Sequence, residues 1–234
     1  MHTMKTNLLF LSLVLSACQG VVGSGNVTTT TRDVSAFRRI SIASGINAQA
    51  STGTRALTIR ADDNLQSLIQ TRVENDTLIV QLKPNTLVGA SHTMEAEISN
   101  DVFEALDASG GVHVTMTATP VTSFPVTASG GSIVDITGLS ATDFAVDASG
   151  GSVVTLAGAA TRGTANASGG SDLKLTGVPL ESLAVSASGG STISARVSGT
   201  LTGSASGGST ISIVGTPAST VDSSGGSQVH LGAQ

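Results

Sequence analysis

The tripeptide Ser-Gly-Gly recurs seven times, starting at Ser109, Ser129, Ser149, Ser168, Ser188, Ser206 and Ser224. Successive starts are therefore nearly evenly spaced along the second half of the chain, at a period of roughly 19. A period of this length belongs to solenoid coils and is shorter than helical repeats such as the ~34-residue type. A low-complexity Gly/Ser linker would carry the same glycines, so the residues between them decide. Three places after the second Gly stand Val114, Val134, Val154, Leu173, Ile193, Ile211 and Val229. Five places after it stand Met116, Ile136, Leu156, Leu175, Ala195, Ile213 and Leu231. Between them lie Thr115, Asp135, Thr155, Lys174, Ser194, Ser212 and His230, none apolar. This strict alternation marks a half-buried strand. The same parity holds upstream, where Leu106, Val126, Val146, Ala165, Val185, Gly203 and Val221 stand five places before the second Gly. Each repeat therefore reads as strand, Gly-Gly corner, strand and a short return.

One such coil cannot bury its apolar side, whereas stacked coils can, each completing its neighbour's backbone hydrogen bonds. The expected fold is all-β, a parallel β-helix or β-solenoid. About seven regular coils of ~19 residues follow irregular N-terminal ones. Right-handed winding is expected from the bias of parallel crossovers. At a strand spacing of about 4.8 Å, seven coils make a rod of roughly 34 Å. Glycine permits corner dihedrals that a Cβ would oppose. Aliphatic stacks fill such an interior without Trp or Tyr, and the chain has neither. Ala195 and Gly203 make the fifth and sixth coils thin.

Residues 25–100 lack the Gly-Gly pairs but keep strand alternation at Arg39–Ile42, Ala56–Arg60, Thr77–Leu82 and Met94–Ile98, and Phe103–Leu106 reads as a further short strand. Asp63–Ile69 reads as one helical turn capped by Asp63 or Asn64. Ser44-Gly45 precedes Ser109-Gly110 by about three coil lengths, which suggests irregular early coils leading into the regular ones. A separate cap domain is the alternative. The remaining division is 1–17 signal peptide, 18–24 lipidated N-terminus and linker, and 101–234 regular repeat solenoid.

The N-terminus carries an address. Lys5 and the apolar run Leu8–Leu15 form a secretory signal, too short to span a bilayer. Leu15-Ser16-Ala17-Cys18 resembles the bacterial lipobox, which makes Cys18, the one cysteine, the expected lipidation site and membrane anchor. Gln19, not Asp, follows it, so the sorting rule for Gram-negative lipoproteins points to the outer membrane. The expected location is the bacterial cell envelope.

Gly23–Val27, Arg32–Phe37, Ile40–Asn47 and Leu57–Leu65, followed by the Ser-Gly-Gly coils, resemble the head GIN domain family of autotransporter-adhesin-like proteins. Gly-Ile-Asn itself stands at 45–47, and the resemblance runs over about residues 22–232. It implies a β-solenoid exported to the envelope, in a family without an established biochemical role. It supplies no catalytic residues.

The search for chemistry returns little. Asp107 and Asp147 have outward parity and stand two coils apart, about 9.6 Å by strand spacing. That approaches the carboxyl separation of inverting glycosidases, about 6.5–9.5 Å, so a carbohydrate-active enzyme on a β-helix scaffold is the alternative reading. Sugar enzymes usually grip rings with aromatics, however, and solvated turn aspartates are the plainer account. His2 lies in the signal, His92 in a loop, and His113 and His230 are six coils apart, too far to share a metal. The seven leading serines lack a Gly-x-Ser-x-Gly elbow and a placed base, so they read as turn hydroxyls. No catalytic residue, cofactor or metal site is expected. A net charge of −5 argues against a nucleic-acid partner. The expected function is a non-enzymatic binding or structural surface toward protein or glycan. End-to-end self-association through open strand edges is a further expectation.

Overall fold

The computed structural model describes residues 20–89 and 93–232. The signal sequence, Cys18, His2 and His92 lie outside the described residues. The repeat folds as its alternation requires. Residues on either side of each corner form two parallel sheets, here called front and back, with the apolar columns facing each other between them. On the front, β8 (Ala105–Ser109) pairs with β10 (Val121–Ser129), which pairs with the end of β11 (Ile133–Ala148). The stack continues through the ends of β12 (Val153–Ala167), β13 (Asp172–Ala187) and β14 (Thr192–Ala205) to β16 (Ala218–Ser223). The back stacks β9 (His113–Thr117), the starts of β11 to β14, then β15 (Thr210–Val214) and β17 (Gln228–Gly232). Seven corners thus enclose six full turns, a β-solenoid.

The register matches the columns read from the sequence. Leu106, Val126, Val146, Ala165, Val185, Gly203 and Val221 are partners in succession. So are Val114, Val134, Val154, Leu173, Ile193, Ile211 and Val229. Val134, Val154, Leu173, Ile193 and Ile211 are fully buried at 0% exposure, which makes the dry interior a fact of the structure. Phenylalanine joins it: Phe103, Phe124 and Phe144 are buried. Phe144 pairs with Gly163, where a Cβ would come within 2.6 Å of the ring, so the small residue in one coil makes room for the ring below.

The first half departs from a simple succession of early coils. β2 (Arg39–Ala43) pairs directly with β8, and β3 (Asn47–Thr52) with β9, so this turn lies immediately beneath the first regular coil. The segment between Ser44 and Ser109 is therefore not three intervening coils. It passes underneath. β6 (Thr77–Leu82) pairs with β2 and β7 (Met94–Asn100) with β3, forming a further turn below. Antiparallel strands then close both sheets. β5 (Ile69–Glu74) meets β6 through the two-residue turn Asn75-Asp76, both at positive φ, 49° and 60°. β4 (Ala56–Asp62) meets β7, and β1 (Val27–Arg32) meets β4. The helical turn α1 is Asp63–Gln66, with Asp62 rather than Asp63 or Asn64 at its N-cap and no side-chain cap bond. The strand expected at 103–106 is β8, shifted to begin at Ala105 because Phe103 and Glu104 cross from the lower turn to the upper one.

Candidate functional site

The corner explains both the Ser-Gly-Gly repeat and Gly-Ile-Asn. Both glycines of each pair have positive φ, such as 64° and 79° at Gly150 and Gly151. A Cβ on Gly150 would lie 3.1 Å from Gly130 N in the corner below, so the corners stack nearly in contact. Ala43 is the partner of Ser109, which aligns Ser44 and Gly45 with the first glycine pair, and both have positive φ, 66° and 71°. Ile46 then enters the core at 0% exposure. Asn47 accepts a hydrogen bond on Oδ1 from the His113 backbone N–H at 3.1 Å. In the regular coils a backbone carbonyl accepts this bond, as Ser132 does from Val153 at 2.9 Å.

The hydroxyls that fasten the corners belong to the serine that follows the glycine pair in six of the seven repeats, not to the one before it. Ser132, Ser152, Ser171, Ser191 and Ser209 are at most 1% exposed. Ser171 Oγ reaches the Ala148 carbonyl of the coil below at 3.0 Å. Ser191 reaches Ala167 and Ser209 reaches Ala187, each at 3.0 Å. The leading serines take part through the backbone: Ser188 N–H donates to Ser191 Oγ at 3.1 Å. The signal for these residues is the longer string Ser-Gly-Gly-Ser, present in six of the seven repeats.

The outward side chains form a flat lattice. On the front, Asp107, Thr127, Asp147, Asn166, Ser186, Ser204 and Asp222 are neighbours in register. Thr127 separates Asp107 from Asp147, and Asp147 Oδ1 accepts from Asn166 Nδ2 at 2.7 Å. Two carboxylates on one open face, one already hydrogen-bonded, have no gripping side chains around them. Arg162 donates to both oxygens of Asp143 at 2.6 and 3.0 Å, and that hydrogen bond holds the guanidinium above its ordinary range. On the back, His113 Nε2 lies 3.1 Å from Asp135, and His230 Nε2 lies 3.0 Å from Gln228 at the far end. Among the described residues no group of three or more His, Cys, Asp and Glu could hold a metal.

The N-terminal segment is pinned by a polar cluster. Asp63 accepts from Ser24 Oγ at 2.5 Å and from Asn26 Nδ2 at 2.9 Å, while Asn64 Nδ2 donates to the Val22 carbonyl at 2.8 Å. The bond from Ser24, then those from Asn26 and the Asn64 backbone, hold the Asp63 carboxyl below its usual range.

The comparisons agree with this geometry. Residues 36–217 match the family model described as "Putative auto-transporter adhesin, head GIN domain". A putative adhesin from Bacteroides fragilis NCTC 9343 is similar at TM-score 0.81 and 19% identity, over 91% of this chain and 100% of that one. A putative lipid binding protein from Parabacteroides distasonis ATCC 8503 follows at TM-score 0.70 and 15% identity, over 92% and 100%. A putative adhesin from Parabacteroides merdae ATCC 43184 gives 0.66 and 14%, over 91% and 99%. At these identities the likeness is one of fold. No curated protein matches the chain.

Proposed function

The chain belongs to the head GIN domain family, and from that premise we propose that it is an adhesin-like protein of the bacterial cell envelope, a non-enzymatic scaffold that binds through the outer faces of its solenoid. The observation that carries this reading is the front lattice. Its columns from Asp147 to Ser204 and from Thr164 through Ala184 to Thr202 are short polar or small side chains held in register by the ladder. Such a surface presents hydroxyls and amides at about 4.8 Å intervals, suited to a protein or glycan partner that lies along the rod. Lipidation of Cys18 would anchor the protein at the membrane, the outer membrane in a Gram-negative cell. Radioactive palmitate should label the wild type and not Cys18→Ala; equal labelling of the two would remove the anchor.

The binding claim is tested by screening envelope proteins and glycans against the protein from residue 19 onward. Thr164→Arg with Thr202→Arg places two long cations on the flat face. This double variant should lose binding at least tenfold while melting as the wild type does. Binding that survives it would move the surface elsewhere. A hydrolytic activity abolished by Asp147→Asn would replace the reading with the enzymatic one.

A second copy is a further partner in this proposal. β16 and β17 are the last described strands of their sheets, and Leu231 is 45% exposed where its column partners are buried. Open edges and exposed apolar side chains at an end favour pairing with an end of another molecule.

A further inference from the structure

The regular repeats hold three basic side chains, Arg162, Lys174 and Arg196. Arg162 is held by Asp143, and Lys174 lies 3.6 Å from Asp172. Arg196 forms no ion pair among the described residues, and its Nε is buried without a hydrogen-bond partner. A local misfit between coils creates its surroundings. Leu175 pairs with Ala195, but the next pair is Pro179 with Arg196, so Thr176, Gly177 and Val178 have no counterparts in the coil above. Arg196 in turn pairs with Val214. The step leaves a cleft of about 400 Å³ lined by Pro179, Leu180, Arg196, Val197, Val214 and Thr216 among others.

This juxtaposition has a chemical meaning. An arginine with no ion-pair partner beside a cleft is a seat for a carboxylate, which pairs with guanidinium N–H groups through charge-assisted bonds. The remaining walls are largely apolar and cannot replace the hydration shell of a small inorganic anion. We infer that the cleft binds an amphipathic carboxylate, its head on Arg196 and its hydrocarbon against Pro179 and Val214. The site is separate from the front lattice, so the two readings stand or fall independently.

The test is calorimetric titration of octanoate into the protein from residue 19 onward, which contains every described residue. Saturable binding is expected, with amide shifts at Val197, Val214 and Thr216 by nuclear magnetic resonance. Arg196→Gln should weaken it at least tenfold, and Arg196→Lys should retain part of it. 1-Octanol, which keeps the chain and lacks the charge, and inorganic phosphate, which does the reverse, should each bind at least tenfold more weakly than octanoate. The inference is overturned if octanoate does not bind, if it binds Arg196→Gln equally, or if either control matches it. Should Arg196→Gln fail to fold, the shift map on the wild type decides: shifts clustered away from the cleft also overturn it.

Discussion

Gly150 and Gly151 adopt similar backbone angles but face different surroundings. A Cβ on Gly150 would press on the corner below, whereas one on Gly151 meets nothing within 4 Å. Gly151→Ala should therefore cost only the left-handed penalty, about 1–2 kcal/mol, and Gly150→Ala clearly more. Urea midpoints of the two variants check the order. Ser44 adopts the same positive φ, 66°. Ser191→Ala removes the bond to Ala167, yet that carbonyl still accepts from Ser188 N–H at 2.9 Å. The expected loss is about 1 kcal/mol, read in the same melts. Asp63 supplies a pH prediction. Its carboxyl is depressed in the fold, so its contribution is present above the unfolded value and disappears as pH falls through the folded one. Amide exchange at residues 22–28 should rise at acid pH in the wild type, and Asp63→Asn should flatten that dependence while raising exchange at neutral pH. The inward columns are legible in the sequence because parity alone assigns them. The trailing serines are not, since a hydroxyl reads as outward until the corner is seen to turn it in.

The element that matters is the turn, and its boundaries follow the register. Residues 170–189 make one full circuit from corner to corner. Their removal joins Gly169 to Gly190 and should leave a cooperative, shorter solenoid with a lower midpoint, because each turn contacts only its neighbours. Removal of residues 170–179 alone would set a front strand above a back one and should abolish the cooperative melt. Circular dichroism during heating separates the outcomes. At this scale the sequence announces the regular turns through repeated spacing. It conceals the lower ones, whose partners lie far apart in the chain: Ile40 pairs with both Leu78 and Leu106. The bulge at Thr176–Val178 is equally hidden, since its repeat is only two residues longer than the next, which resembles ordinary variation in length.

Across the whole molecule the two ends differ. The lower end carries antiparallel β1, β4 and β5, with β1 and β5 each paired on one side, while the upper described end carries parallel β16 and β17 with Leu231 exposed. Both described ends carry strands with a free edge and exposed apolar side chains, Val27 below and Leu231 above, so association through the ends is expected. Light scattering should show a mass that rises with concentration, and Leu231→Lys should lower it. A single-copy mass at every concentration would refute this arrangement. The site-level reading draws least from the sequence, for the cleft at Arg196 exists only once coils four to six are stacked.

The interleaving of the first turns also bears on the route by which the molecule is made. The β2–β3 turn is covered below by β6–β7 and above by β8–β9. A chain made N-terminus first thus holds an unfinished base until about residue 117 has appeared. After that point each newly delivered circuit has a completed template waiting for it, so synthesis and assembly can advance in step from a foundation that closes late.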